Sequence, residues 1–338
     1  MHTPKVVTFG EVMMRLSPPG YAMFSQAKHL DMTFGGGEAN VAISLAYMGL
    51  DAAHVTRFPD NLLGKTATQF LKHHLLDTSS IVLGDEMMGL YFLEKGAVHR
   101  PSQIVYERKN SAFAKIKPGM IDWEQTLEGA SWFHWTGITP AVSNGALECV
   151  SEAIDIANKH GINVSVDVHS RKNMWDYGKA AKEVMPQLID RCDIVIGGAY
   201  DFQELFDIPL KGEHNEQFRK AAQELMKRSP RIKKVFDKER EAVSASHNRI
   251  MGRMWNGEDF YKTEKLDVTH IVDRVGTGDA YAAGVIYGLL NYEEDADALE
   301  FGAAACALKH TVEGDANMVS AEVIQDLMHG NTSGNIKR

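Results

Sequence analysis

DRVGTGDAYAAGV (273–285) sets two glycines around a threonine, then a carboxylate, then a run of small residues that can open a helix. Gly276 and Gly278 reach backbone torsions that other residues avoid. With Thr277 between them, consecutive N–H groups can turn toward one point. A helix beginning there adds the partial positive charge of its N-terminus, so the loop suits an anion such as phosphate. Ala280, Ala282, Ala283 and Gly284 let that helix lie close to its neighbours. Asp279 then sits at the mouth of the anion site. A carboxylate there can take the proton of a hydroxyl whose oxygen attacks a phosphoryl group, while the loop stabilises the charge on that group. Taken alone, the pattern also reads as a helix cap, because Asp is a favoured N-cap residue. There is no GxxxxGK[ST] loop and no GxGxxG after the first strand, so the ordinary nucleotide-loop and dinucleotide signatures are absent.

Around this loop the chain alternates. KVVTFG (5–10), AAHVTRF (52–58), ASWFHWTG (130–137), INVSVDV (162–168), CDIVIG (192–197) and IKKVFD (232–237) read as strands. Helical patterns fill 38–49, 144–160, 178–190 and 214–228. Alternation of this kind predicts a parallel sheet with helices on both faces, and ligands beyond the carboxyl ends of its strands. Two segments break the rhythm, 14–34 and 88–113, with Gly/Pro punctuation and alternating aromatics. We read them as a small β-lid over the active edge of a single domain spanning 1–338; the alternative is a pair of long surface loops.

Composition narrows the function classes. The 338 residues are 44% hydrophobic and 24% charged, as in an ordinary soluble globular protein. A net charge of -9 argues against a nucleic-acid partner. No apolar run is long enough for a bilayer, and MHTPKVVTFGE lacks a signal-peptide core. Cys149, Cys192 and Cys306 are widely spaced, which fits reduced thiols in a cytoplasmic protein.

A second motif changes the balance. In MTFGGGEANVAISLAYMG (32–49) a triple glycine runs into Glu38, Ala39 and Asn40 at a helix start. Glycines let a small ligand approach the backbone, and Asn40 offers both a donor and an acceptor to hydroxyls. In order and separation the two motifs resemble the GG…N and GAGD motifs of the ribokinase-like (PfkB) carbohydrate kinases, and the resemblance runs over essentially the whole chain. Within that family GEVMMRLSPPG, GGGEANVA, YERKNSAF, HWTGITPAVS and RKNMWDYGKA look like 2-keto-3-deoxygluconate kinases.

The resemblance implies a ribokinase-like α/β fold, with a central mostly parallel sheet, helices on both faces and a small β-sheet lid. It implies transfer of the ATP γ-phosphoryl group to the terminal hydroxyl of a sugar acid, with ATP and Mg²⁺ as cofactors. Carried over by motif, Gly36 and Asn40 line the sugar site, Tyr91, Tyr106 and Arg108 cover it, and Arg171 and Asp315 complete it. Asp279 is the base, and the backbone of Gly276, Thr277 and Gly278 holds the transferring phosphoryl group. Independently of the family, Arg108 and Arg171 offer bidentate forks to a substrate carboxylate.

The chain departs from the pattern in three places. His169 stands where DxNxR has Asn. In IGGAYDFQEL (196–205), Gly198 and Asp201 stand where NxxE has Asn and Glu, leaving Asp201 a water-mediated contact to a hydrated Mg²⁺. At 237–239 the charged Asp237, Lys238 and Glu239 replace a Thr-containing strand end. Lys238 and Arg240 are candidates for the nucleotide phosphates, with Asp237 and Glu239 opposing them. Two further readings therefore stand beside the sugar-acid kinase. One is a sugar-acid-binding homologue with weak or no transfer. The other is a kinase for another sugar, such as fructose or 5-dehydro-2-deoxygluconate. Exposed edges on a two-hairpin lid also point to a homodimer formed through it.

Overall fold

The structure, a computed structural model, describes residues 3–169 and 174–331. The chain opens with β1 (Lys5–Phe9), β2 (Met13–Ser17), β3 (Asp31–Gly35), α1 (Gly37–Tyr47), β4 (Asp51–Val55) and β5 (Arg57–Pro59). Next come α2 (Leu62–His73), β6 (Val82–Gly84), β7 (Leu90–Glu94), β8 (Gln103–Glu107), α3 (Trp123–Thr126) and β9 (Ala130–Thr136). The middle of the chain supplies α4 (Ile138–Val142), α5 (Asn144–Lys159), β10 (Asn163–Asp167), α6 (Ala181–Ile189), β11 (Ile194–Ile196), α7 (Ala199–Phe206) and α8 (His214–Arg228). It ends with β12 (Lys234–Ser244), β13 (His247–Trp255), β14 (Phe260–Lys262), β15 (Leu266–Val268), α9 (Thr277–Asn291), α10 (Asp295–Lys309) and α11 (Ala321–Met328).

Among the described residues nine strands form one sheet in the order β14-β13-β12-β11-β10-β9-β1-β4, with β15 also on β13. Neighbours from β4 to β12 are parallel, and β13 reverses. Strand alternation explains why both faces are covered. Val6 belongs to one buried cluster, while Val7 and Phe9, pointing the other way, belong to a second. The first cluster is closed by α1, α9 and α10 through Ile43, Val285 and Phe301, the second by α5, α6 and α8 through Val150, Met185 and Phe218. A separate four-stranded sheet runs β3-β2-β7-β8. This matches the ribokinase-like fold class read from the sequence.

Two strand assignments change. AAHVTRF is not one strand: β4 stays in the large sheet, while β5 leaves it to pair with β6. The strand at 232–237 does not stop there but runs to Ser244 and turns into antiparallel β13. Its charged second half pairs acids with bases across the hairpin, Asp237 opposite Arg253 and Glu241 opposite Arg249. Cross-strand pairs of opposite charge suit an antiparallel ladder.

Helix α9 carries the opening motif, and its place depends on glycine. Gly276 caps it with φ of 77°, and a Cβ there would stand 1.7 Å from the Asp315 carbonyl oxygen. Farther along, Gly284 faces Gly302 and Gly288 faces Ala298 of α10, so the two helices pack nearly backbone to backbone. A Cβ on Gly288 would lie 2.5 Å from Ala298 Cα. Gly288→Ala is expected to cost about 1–3 kcal/mol, the usual range for overpacking, seen as a lower denaturant midpoint. An unchanged midpoint would show that α9 and α10 separate without penalty.

Candidate active site

The small sheet and the carboxyl edge of the large sheet enclose a cleft of about 780 Å³. Its floor is where the N-termini of α1 and α9 meet. The triple glycine before α1 serves packing more than ligand approach. A Cβ on Gly35 would strike Asp315 Oδ2 at 2.1 Å, and one on Gly36 would strike the Glu11 carbonyl oxygen at 1.9 Å. All three line the cleft, and Gly37 alone has room for a Cβ, in ordinary contact 3.7 Å from Asp279 Oδ1.

Asn40, one turn into α1, donates from Nδ2 to Asp279 Oδ2 at 2.7 Å. This fixes the Asp279 side chain and leaves Oδ1 toward Gly37 and the cleft. Burial pushes the Asp279 carboxyl above its ordinary 3.8, and the Asn40 hydrogen bond pulls against that rise. Beside it, Glu38 is buried and accepts from Thr136 N at 3.1 Å, Thr136 Oγ1 at 2.8 Å and Thr139 Oγ1 at 2.5 Å. Burial raises the Glu38 pKa too, and these donors oppose it. Glu38 thereby ties α1 to the end of β9 and the start of α4.

The wall formed by the small sheet is an ionic network. Arg15 of β2, 2% exposed, donates to Asp273 Oδ2 at 2.7 Å and to Asp315 Oδ1 at 2.5 Å. Burial works against the guanidinium charge, but Asp315 and Asp273 outweigh it and raise the Arg15 pKa. The Tyr91 hydroxyl of β7 donates to the other Asp315 oxygen. Asp315 thus lines the cleft with both oxygens already held. Arg108 donates from Nε to Glu11 Oε2 at 2.7 Å, and Nη2 meets the same oxygen. Glu11 Oε1 accepts from Ser111. The Arg108 guanidinium lies 6.0 Å from the Tyr106 ring centroid, and the Tyr91 and Tyr106 rings are 5.9 Å apart. Gly36, Asn40, Tyr91, Tyr106, Arg108, Asp315 and Asp279 are therefore brought to one cleft. Arg171 lies outside the described residues.

On the opposite side β12 corrects the expectation that Asp237 and Glu239 oppose Lys238 and Arg240. Alternation puts the acids on one face, where Arg253 donates to Asp237 and Arg253 Nη1 lies 3.2 Å from Glu239. Lys238 and Arg240 point the other way into the cleft, joined by Arg274 from the loop before α9. Asp201 caps its own helix, accepting from Gly198 N at 2.9 Å, and burial raises its pKa. Asp167, at the end of β10, lies 3.0 Å from His169 Nε2.

The pfkB family carbohydrate kinase profile matches residues 3–322. The chain belongs to this family. A 2-dehydro-3-deoxygalactonokinase of Haloferax volcanii is 29% identical over 332 residues, 98% of this chain and 99% of its own length. A 5-dehydro-2-deoxygluconokinase of Geobacillus kaustophilus is 30% identical over 287 residues, 82% of this chain and 80% of its own. Among solved structures, a 2-dehydro-3-deoxygluconokinase from Thermotoga maritima superposes with a TM-score of 0.92 at 39% identity, covering 97% of this chain and 99% of that one. Among the described residues no helix is long and apolar enough to cross a membrane.

Several residues that shape this pfkB cleft escaped the sequence reading: Glu11, Arg15, Glu38, Asp273 and Arg274. Asp273 and Arg274 lie inside the opening stretch but outside its glycine motif. Arg15 and Glu11 lie in the quoted GEVMMRLSPPG, but nothing local reports the role of Arg15, since its partners are 258 and 300 residues away. The Asn40–Asp279 contact yields a pH prediction. In the role of base expected from its motif, Asp279 works as the carboxylate and is lost as pH falls through its pKa, so a higher pKa means loss at higher pH. Asn40→Ala removes a donor that favours the carboxylate. The acid limb of kcat/KM is therefore expected to move to higher pH than in the wild type. A limb that stays in place, or moves down, contradicts the pairing.

Proposed function

We propose that the protein transfers the γ-phosphoryl group of ATP to the terminal hydroxyl of a 2-keto-3-deoxy sugar acid, of which 2-keto-3-deoxygluconate is the first candidate. One observation carries this reading: a partly buried Asp279, fixed by Asn40 at the mouth of a glycine-capped helix, facing a cleft that also holds Arg108. Relatives named for 2-dehydro-3-deoxy sugar acids support the substrate class. The Geobacillus relative favours a second reading, in which the acceptor is 5-dehydro-2-deoxygluconate.

ATP supplies the phosphoryl group. Asp279 Oδ1 takes the proton of the sugar hydroxyl as its oxygen bonds to the γ-phosphorus and the bond from that phosphorus to the bridging oxygen breaks, releasing ADP. The free N–H groups at the start of α9, around Gly276, Thr277 and Gly278, stabilise the charge on the transferring group. The small sheet covers the sugar and keeps out water, which would compete as acceptor. Lys238 and Arg240 bind the phosphates. Arg108, with Tyr91 and Tyr106 beside it, meets the sugar acid from above. The exposed Val105 on β8, on the strand face turned from the cleft, and the exposed Met32 on β3 are apolar positions that a second copy of the chain would cover.

A metal ion held by the protein fits this site poorly. Each nearby acid has one oxygen engaged, Asp201 by Gly198 N, Asp237 by Arg253 and Asp167 by His169. Among the described residues no group of three acidic, His or Cys side chains is arranged to hold an ion. The mechanism therefore takes no step through such an ion.

The test is ADP release with MgATP across 2-keto-3-deoxygluconate, its galacto epimer, 5-dehydro-2-deoxygluconate and fructose. A 2-keto-3-deoxy acid is expected to give the highest kcat/KM. Sugar binding by calorimetry with no ADP above background would mean a binding protein instead. In the same assay Asp279→Asn is expected to lower kcat by at least about 100-fold, the scale of a lost general base, with sugar affinity retained. Turnover within about tenfold of wild type would remove Asp279 from the role of base.

A further inference from the structure

The cations on the cleft face of β12 have a place that nucleotide contact alone does not explain. Lys238 Nζ stands 3.5 Å from where a Cβ on Gly278 would be, over the first turn of α9 and one residue from Asp279. Neither Lys238, Arg240 nor Arg274 has an ion-pair partner among the described residues, although Arg274 donates to Asn248 at 3.2 Å. The acids on the same strand are turned away and held by Arg253. The nearby carboxylates each have one oxygen engaged, Asp201 as a helix cap, Asp237 with Arg253 and Asp167 with His169. The four residues between His169 and Met174 are Ser, Arg, Lys and Asn, which add no carboxylate. Cationic side chains and helix N–H groups therefore converge where the phosphates belong, while each nearby acid already has one oxygen taken.

We propose that Lys238 is a catalytic cation which, with Arg240 and Arg274, neutralises the phosphate chain in the role a protein-held divalent ion would fill. It rests on the reading of Asp279 as base beside a phosphate site. A lysine ammonium is a compact charge with three rotatable donors, so it can follow a phosphoryl oxygen from donor to acceptor. Arg240 and Arg274 give the rest of the chain planar forks. The specific consequence is that this site holds a polyphosphate chain in the absence of metal.

The test titrates the full-length protein with inorganic tripolyphosphate in excess EDTA, without sugar, by calorimetry. The wild type is expected to bind, Lys238→Met to bind at least about tenfold more weakly, the scale of one hydrogen bond to a charged group, and Lys238→Arg to stay near the wild type. No binding in EDTA, with binding restored by Mg²⁺, overturns the proposal; so does equal binding by Lys238→Met. Because this titration needs neither sugar nor turnover, it can succeed even where every sugar acid fails as acceptor. Where turnover is found, Lys238→Met is expected to lower kcat by about 100-fold, as for loss of one charge-stabilising donor, with the sugar KM unchanged. Ethylammonium should restore part of the rate to Lys238→Ala. A change in nucleotide KM with kcat intact would reduce Lys238 to a binding residue and overturn its catalytic role.

Discussion

The cleft depends on one buried ionic contact, the Arg15 guanidinium shared between Asp273 and Asp315. Asp273 opens the loop that leads to α9, and its second oxygen accepts from Val275 N at 3.1 Å. Asp315 follows α10, and its backbone carbonyl is the group that only glycine at 276 can accommodate. Arg15 itself belongs to the small sheet. A single side chain thus sets the distance between the sheet above the cleft and the anion loop below it. Removing one partner of such a buried group leaves uncompensated charge, at a cost of about 3–5 kcal/mol. Burial lowers the Lys309 pKa, and Asp273 and Asp315 of the same network oppose that fall.

From this anchor the chemistry follows in layers. The loop is held, so Gly276 can cap α9 in a left-handed conformation and its first N–H groups stay free. Asp279, on the first turn, meets Asn40 from α1, which Glu38 ties to the ends of β9 and α4. Asp279, the proposed base, is therefore positioned by α9 and α1, through Asn40 and the hydrogen-bonded Glu38, rather than by a mobile loop. Such preorganisation places charge where the reaction develops it and avoids rearrangement during the step.

Much of this was legible in the sequence, for physical reasons. Short apolar runs such as KVVTF marked strands buried on both faces, and GTGD and GGGEAN marked two helix starts. What stayed hidden involved distance or disguise. Arg15 finds its partners across the fold, which no local pattern reports. DKERE reads as a charge run, yet on an extended strand it separates into an acidic face neutralised by Arg253 and a basic face open to the cleft. The glycines of GGGEAN suggested ligand approach, whereas two of them make room for Glu11 and Asp315.

The central claim is that a hydroxyl placed against Asp279 receives the phosphoryl group. The most direct measurement is phosphorus–proton NMR of the product formed from ATP and 2-keto-3-deoxygluconate. The account predicts a phosphomonoester on the terminal carbon, formed in step with ADP. Inorganic phosphate as the only new phosphorus species besides ADP, or an ester at another carbon, would contradict it.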